Sequence, residues 1–280
     1  MQKECEIITS RQNPLVQLTV SLADRKHRER EGLFRFDGKK LFLEALAAKI
    51  PLYAVLFRES AVEALLRAAA DHMLPPDCRS VILPDALFDR VSEEHSPEGV
   101  IVLARYLTGL HRTMDAAAWE AACPAKGLSR VLFLESVRDP GNLGTVIRSA
   151  RAFGVELLVL SVDCADIYHP RVLRAAMGTL FHQPVIRTSE LAAVIASYGK
   201  TGRVFAATLN EKAVTLGALP FRAGDAVVVG NEGHGLSPAV IAAATESIFI
   251  PMTAGVESLN AGVAASVLLW ELFRDTGGAV

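Results

Sequence analysis

The sequence has few cysteines, no long apolar run and almost no net charge. Its four cysteines are scattered along the chain, which excludes a disulfide-rich scaffold and a metal site of paired cysteines. No stretch of 18 or more apolar residues occurs, so we expect no membrane-spanning helix. The first residues lack a basic segment followed by an apolar one, so we expect no secretory signal and a cytoplasmic protein with free thiols.

Charge is balanced overall but not locally. The formal net charge of −2 argues against a surface coated in phosphate contacts. Residues 25–40 nevertheless hold seven basic side chains against three acidic ones. Such a patch is typical either of a nucleic-acid contact or of a solvated helix end, and charge alone favours the helix end.

Length and periodicity predict two α/β domains. Hydrophobic residues make up 51% of the 280 positions, enough for a substantial core. Strands alternate with helices over residues 1–107, which predicts a small α/β/α domain. Residues 108–129 change in composition and are predicted to be a linker. Residues 130–280 contain continuous apolar strands, which indicate a parallel sheet buried on both faces.

Three segments in the last third share the order strand, polar loop, helix. The strand at 131–135 runs into the loop 139–144, and the strand at 226–229 runs into the loop 230–237. The third strand, 247–250, enters a Pro/Gly loop ending at Ser258, the predicted N-cap of a small-residue helix reaching Phe273. Ligands bind at the carboxyl ends of parallel strands, so we expect the three loops to form one site.

Each loop alone also has an ordinary explanation. Arg148 lies one turn after Gly144, and alone it is best explained as a surface arginine on an amphipathic helix. Glu232 would be a solvated acid in a glycine-rich turn. Ser258 and Asn260 would cap a helix. The glycine spacing at 230–235 matches neither the dinucleotide fingerprint nor a P-loop.

Together the loops resemble the three signature motifs of the SpoU/TrmH branch of the SPOUT RNA methyltransferases. The matching stretches are Asn142-x-Gly144-x-x-x-Arg148, the residues 230–237, and Ile250-Pro251-Met252 through Glu257-Ser258-Leu259-Asn260. The resemblance covers residues 130 to 275. The N-terminal hundred residues resemble, more weakly, a ribosomal-protein-L30e-like substrate-binding domain, through residues 34–40 and 96–100. Two positions depart from the common pattern, Glu98 and Arg151.

The resemblance implies 2′-O-methylation of a ribose in RNA, ribosomal rather than transfer RNA, with S-adenosyl-L-methionine as donor. It implies an α/β fold whose C-terminal parallel-sheet domain holds a deep trefoil knot, preceded by the small L30e-like domain. Knots are rare exceptions to normal chain topology, and periodicity does not reveal one. The family also implies a homodimer formed through the C-terminal domain, and no metal.

The resemblance further assigns roles to individual residues. Arg148 would stabilise the negative charge that grows on the attacking ribose oxygen, since an arginine stays protonated and is a poor base. Asn142 would orient the ribose or Arg148, Glu232 would order its loop, and Ser258 and Asn260 would shape the pocket. The expected cofactor-binding residues are Thr208, Gly230, Ile250 and Leu259. The expected RNA-binding residues are Arg35, Lys39 and Lys40.

Two other functions remain open at this stage. A non-catalytic RNA-binding protein could keep the knot, although retention of the motif residues argues against it. A nucleotide-dependent oxidoreductase on a doubly wound sheet is disfavoured by the missing dinucleotide fingerprint.

Overall fold

The chain forms two compact units. The computed structural model describes residues 5–122, 127–210, 213–231, 233–253, 255 and 258–275. The first unit holds the described residues up to Thr108 together with Tyr168–Phe181, and the second holds Gly109–Ile167 and the described residues from His182 onward. No helix within these ranges is long and apolar enough to cross a membrane.

The first unit is built on a mixed sheet of five strands in the order β1-β4-β3-β5-β2. The strands β1, β4 and β3 run parallel, and β5 pairs antiparallel with both β3 and β2. Its elements are β1 Glu6–Ile7, α1 Pro14–Ser21, α2 Arg25–Glu31, β2 Leu33–Asp37, α3 Lys39–Ala47, β3 Leu52–Arg58, α4 Val62–Ala68, β4 Arg79–Leu83, α5 Asp85–Val91 and β5 Val100–Arg105. Successive residues of β3 face opposite sides of the sheet. Leu56 packs with residues of α1 and α5 on one side, and Phe57 contacts Phe42 of α3 on the other.

A later segment of the chain completes this unit. The helix α8, Pro170–Ala176, packs against β2. Ahead of it the ring of Tyr168 stacks on Phe34 at 4.5 Å and on Tyr106 at 4.2 Å, and its hydroxyl accepts a hydrogen bond from the Leu107 amide. Residues 168–181 therefore pack with the first unit, which differs from the predicted assignment of 130–280 to one domain.

The second unit contains an all-parallel sheet of eight strands in the order β11-β13-β10-β12-β7-β8-β9-β6. Its strands are β6 His111–Thr113, β7 Val131–Leu134, β8 Leu157–Ser161, β9 Val185–Thr188, β10 Val204–Ala207, β11 Val214–Thr215, β12 Ala226–Val229 and β13 Glu246–Phe249. Its helices are α6 Ala116–Ala122, α7 Pro140–Ala152, α9 Leu191–Tyr198, α10 Pro238–Ala243 and α11 Ala261–Asp275. A short 3-10 helix, Thr179–His182, begins in the first unit and ends at the first residue of the return to the second. The central strands β7 and β12 are buried at every position, as their continuous apolar character predicts. The trefoil knot stays a prediction.

The segment predicted to be a linker, residues 108–129, carries regular structure. Strand β6 pairs with β9 at the edge of the parallel sheet, and Trp119 of α6 is buried in the core beside Leu191 and Ile195 of α9. The burial of this large ring explains the difference, since a linker would leave it in water. Residues 123–126 lie outside the described part of the chain.

Two helices begin at positions other than those predicted. Helix α7 starts at Pro140, within the stretch 139–144 that was predicted to be a loop, because the Asp139 side chain accepts a hydrogen bond from the Asn142 amide and proline suits the first helical turn. Helix α11 starts at Ala261, and Asn260 rather than Ser258 caps it. The Asn260 side-chain oxygen accepts hydrogen bonds from the amides of Gly262 and Val263 at 3.0 and 3.3 Å.

The basic stretch at residues 25–40 is less available to a partner than its composition indicates. Arg35 is only 1% exposed, and its guanidinium donates to both carboxylate oxygens of Asp37 and to two backbone carbonyls. Arg28 is also buried and donates to the carbonyls of Leu22 and Ala23. The prediction that Arg35 binds RNA is therefore corrected, because a buried guanidinium paired within the core cannot reach a phosphate. Lys39 and Lys40 are exposed.

The pair between Arg35 and Asp37 gives a test of this corrected role. Asp37→Ala leaves the guanidinium buried without its carboxylate, and we expect the free energy of unfolding to fall by about 3–5 kcal/mol. Urea titration followed by circular dichroism measures the change. The matched control, Glu29→Ala, removes the partner of Arg25 in a half-exposed pair and should cost less than about 1 kcal/mol. Equal losses in the two variants would contradict a structural role for Arg35.

Candidate active site

A cavity of about 340 Å³ lies at the carboxyl ends of β10, β12 and β13. The four residues predicted to bind a cofactor line this cavity, and so does Ser258. The four come from different parts of the chain. Thr208 directly follows β10, Gly230 follows β12, Ile250 follows β13, and Leu259 precedes α11. Parallel pairing of these three strands brings their ends together. Two of the three predicted loops line the cavity, whereas the first, residues 139–144, contributes no lining residue and meets the third loop through Asn142.

Gly230 allows the second loop to fold back closely on itself. Asn231 and Gly235 exchange two backbone hydrogen bonds of 3.2 and 2.9 Å. A Cβ atom on Gly230 would lie 2.5 Å from the carbonyl oxygen of Gly235, closer than real contacts allow. Only glycine therefore fits at this position of the cavity wall.

The side chain of Asn231 organises the rest of the second loop. Its oxygen accepts hydrogen bonds from the amides of Gly233 and His234 at 2.8 and 3.2 Å. Its nitrogen donates to the carbonyl of Ser136, 2.9 Å away, in the segment that follows β7. Both Asn231 and His234 line the cavity. Glu232, predicted to be a site residue, lies outside the described residues.

The first and third loops meet through their asparagines. The side-chain nitrogen of Asn260 donates a 2.8 Å hydrogen bond to the side-chain oxygen of Asn142. Each asparagine is also held within its own loop. The backbone amide of Asn142 donates to the Asp139 side chain, and the side-chain oxygen of Asn260 caps α11. Two residues 118 positions apart thus share a fixed polar contact beside the cavity wall at Leu259.

The small residues of α11 let it pack closely on α7. A Cβ atom on Gly262 would lie 3.2 Å from the methyl carbon of Thr145, and the hydroxyls of Ser149 and Ser266 are 2.7 Å apart. The small residues of this helix therefore serve a close contact with α7 within this chain.

Arg148 lies on the exposed side of α7 and does not line the cavity. It follows Asn142 by six residues, a rise of about 9 Å along the helix. Within the described ranges its guanidinium forms no hydrogen bond or ion pair. Asn142 and Asn260, by contrast, are held by each other.

A polar cluster that the motif comparison missed lies at the ends of β7 and β8. Asp163 accepts hydrogen bonds from the hydroxyls of Ser136 and Ser161, both at 2.5 Å, and pairs with Arg138 at 3.0 Å. Burial raises the pKa of Asp163, but these hydrogen bonds outweigh it and lower the pKa to about 2. The available sequence signal was the position of these polar residues directly after apolar strands.

A second carboxylate joins the first and second loops. Glu135, the residue after β7, accepts hydrogen bonds from both the amide and the hydroxyl of Ser237, which caps α10. Within the described residues, no group of three or more His, Cys, Asp or Glu side chains is arranged to hold a metal ion.

Comparison with known proteins identifies families for both parts of the chain. Residues 129–270, half of the chain, match the SpoU rRNA Methylase family, and residues 13–102 match the MRM3-like substrate binding domain.

Individual relatives match along nearly their whole length. The chain is 31% identical over 276 residues to an uncharacterized tRNA/rRNA methyltransferase of Synechocystis sp., covering 97% of this chain and 95% of that protein. It is 28% identical to the 23S rRNA (guanosine(2553)-2′-O)-methyltransferase RlmP of Bacillus subtilis, covering 95% and 98%. The AdoMet-bound rRNA methyltransferase of Sinorhizobium meliloti is 25% identical, with a TM-score of 0.80 and coverage of 96% and 98%. This chain belongs to the SpoU rRNA methylase family.

Proposed function

We propose that this protein methylates a ribose 2′-hydroxyl of RNA with S-adenosyl-L-methionine as donor, and that its substrate is ribosomal RNA. The observation that carries the proposal is the cavity walled by loops from three strand ends, with Asn142 and Asn260 joined at its side. The names of the relatives in Bacillus subtilis and Sinorhizobium meliloti support the choice of ribosomal RNA.

The cavity suits the cofactor in size and chemistry. Its volume of about 340 Å³ lies within the range of roughly 300–1,000 Å³ that is typical of small-molecule sites. The half-buried side chain of Leu259 would cover an adenine ring, while the backbone at Gly230 and Ile250, which line the same cavity, would supply polar contacts. When bound, S-adenosyl-L-methionine supplies a methyl group on a positively charged sulfur.

The chain's own groups then act on the ribose oxygen. As this oxygen takes the methyl group it would leave a neutral thioether and lose its proton to water, and the guanidinium of Arg148 would stabilise the negative charge that grows on it. The Asn142–Asn260 pair fixes the wall beside the attacking group, and Ser258 lines the same region. Glu232 keeps its proposed role in ordering the second loop.

We infer that the enzyme is a homodimer formed through α11. Val263, Val267 and Trp270 recur at helical spacing on this helix and are 49%, 36% and 52% exposed. A row of exposed apolar side chains favours burial against a second copy. Arg148 stands outside the cavity of its own chain, so a symmetric partner provides a route by which it reaches a neighbouring cavity.

We further propose that the first unit binds the RNA through Lys39 and Lys40 and that the protein works in the cytoplasm. The two exposed lysines begin α3, and the unit matches a substrate-binding family. A domain boundary near residue 108 and the knot also belong to this proposal. Cys164 forms no disulfide among the described residues, which fits a reducing compartment.

Two variants test the chemistry separately from cofactor binding. Arg148→Ala should fold and bind S-adenosyl-L-methionine normally yet lose at least about a hundredfold in rate, because it removes one preorganised positive group. Gly230→Ala should lose cofactor binding, because its Cβ collides with the Gly235 backbone. Calorimetry with the cofactor and methyl transfer to ribosomal RNA from a strain lacking the gene measure the two effects. Near-normal turnover by Arg148→Ala would remove this residue from the mechanism.

Co-expression of these two inactive variants tests whether sites are shared between subunits. If Arg148 serves the partner's cavity, half of the dimers are mixed and each holds one intact site, so activity should recover to about a quarter of the wild-type level. If Arg148 serves its own cavity, no mixed dimer holds an intact site. Adding Trp270→Arg to both chains should abolish the recovery, whereas Met73→Arg, on the first unit, should not.

The RNA contact is tested by charge reversal. Lys39→Glu and Lys40→Glu, singly and together, should weaken RNA binding and reduce its dependence on salt while sparing cofactor affinity. Filter binding over a range of salt concentrations measures both quantities. Lys49→Glu, beyond the other end of the same helix, is the matched control. Equal effects at the two ends would show that the start of α3 is only a solvated surface.

A further inference from the structure

Ser136 holds a backbone conformation that serine seldom adopts. Its φ angle is +56°, in the left-handed region that disfavours every residue with a Cβ atom. Such a conformation persists only where the surroundings hold it. The Ser136 amide donates a 2.9 Å hydrogen bond to the Ser161 hydroxyl, and its own hydroxyl donates to Asp163 at 2.5 Å.

Both serines depend on one carboxylate. The second oxygen of Asp163 accepts from Ser161 at 2.5 Å, which orients the Ser161 oxygen toward the Ser136 amide. Asp163 thus holds Ser136 twice, once directly and once through Ser161. Its ion pair with Arg138 lies at the surface, since 66% of the arginine side chain is exposed, and contributes little to this hold.

The carbonyl of Ser136 connects Asp163 and the two serines to the wall of the cavity. It accepts the side-chain nitrogen of Asn231, whose oxygen in turn holds the amides of Gly233 and His234. Asn231 and His234 line the cavity. If the backbone at Ser136 rotated to ordinary angles, its carbonyl would turn away and the second loop would lose its anchor.

We propose that Asp163 is a positioning residue for methyl transfer, which holds Ser136 in the left-handed conformation and thereby fixes Asn231 and the glycine-rich loop. The inference rests on the proposed cofactor cavity and adds a residue that lies outside the three motifs. The carboxylate stays ionised across the working pH range, since hydrogen bonding lowers its pKa.

The test combines removal of Asp163 with a rescue at Ser136. Asp163→Ala should lower the affinity for S-adenosyl-L-methionine about tenfold, because the left-handed conformation then becomes a minor state. Glycine adopts positive φ without penalty, so adding Ser136→Gly should restore affinity to within about threefold of wild type. Isothermal titration calorimetry with S-adenosyl-L-methionine measures each variant.

Glu156→Ala is the matched control. This carboxylate also accepts two hydrogen bonds, from the amides of Ser129 and Arg130, but ahead of β7 and not after it. Its loss should reduce the melting temperature without changing cofactor affinity. Should Asp163→Ala fail to fold, Asp163→Asn, which keeps the shape, replaces it in the same rescue experiment.

Two results would overturn the inference. One is unchanged affinity in the Asp163 variant, and the other is a double variant that binds no better than the single one. In either case wild-type binding leaves the cofactor cavity intact as a proposal. Failure of the wild-type protein itself to bind S-adenosyl-L-methionine would overturn the cavity assignment and this inference with it.

Discussion

Parallel pairing of β7, β12, β10 and β13 is the constraint on which the site depends. These strands lie side by side but are far apart in sequence, and their common direction puts all four carboxyl ends at one edge of the sheet. Loops that follow them must meet there, whatever else they contain. The hydrogen bond between Asn142 and Asn260 and the anchoring of Asn231 on Ser136 are then short-range consequences of that arrangement.

Much of this could be predicted because the evidence in the sequence is local. Continuous apolar strands predicted a parallel sheet, and the order of three loops predicted the family and the RNA methyltransferase class, all of which are confirmed. Gly230 also carries local information, because the loop after β12 folds back so closely there that a Cβ atom would collide with the Gly235 backbone. The roles of the individual site residues stay predictions.

What could not be predicted involves contacts between distant parts of the chain. A count of basic residues does not distinguish Arg35 from Lys39, yet Arg35 is buried against Asp37 and Lys39 is exposed. No pattern in the sequence around Tyr168 predicts that its ring stacks on Phe34 of the first unit. The N-cap of α11 is a third example. Both Ser258 and Asn260 are residue types that cap helices, and the contact of Asn260 with Asn142 favours Asn260 as the cap.

The site divides its functions between rigid and free groups. Asn142, Asn231 and Asn260 each use their side-chain amides within the protein, so they hold the wall of the cavity and do not await a ligand. Arg148 has no such partner among the described residues and stands on an exposed helix face. In the proposed role of stabilising charge on RNA, a guanidinium without a resident carboxylate would be the more effective group, because such a carboxylate would already neutralise it. One chain is therefore sufficient to build the cavity, and the proposed homodimer is the arrangement that would bring Arg148 to it.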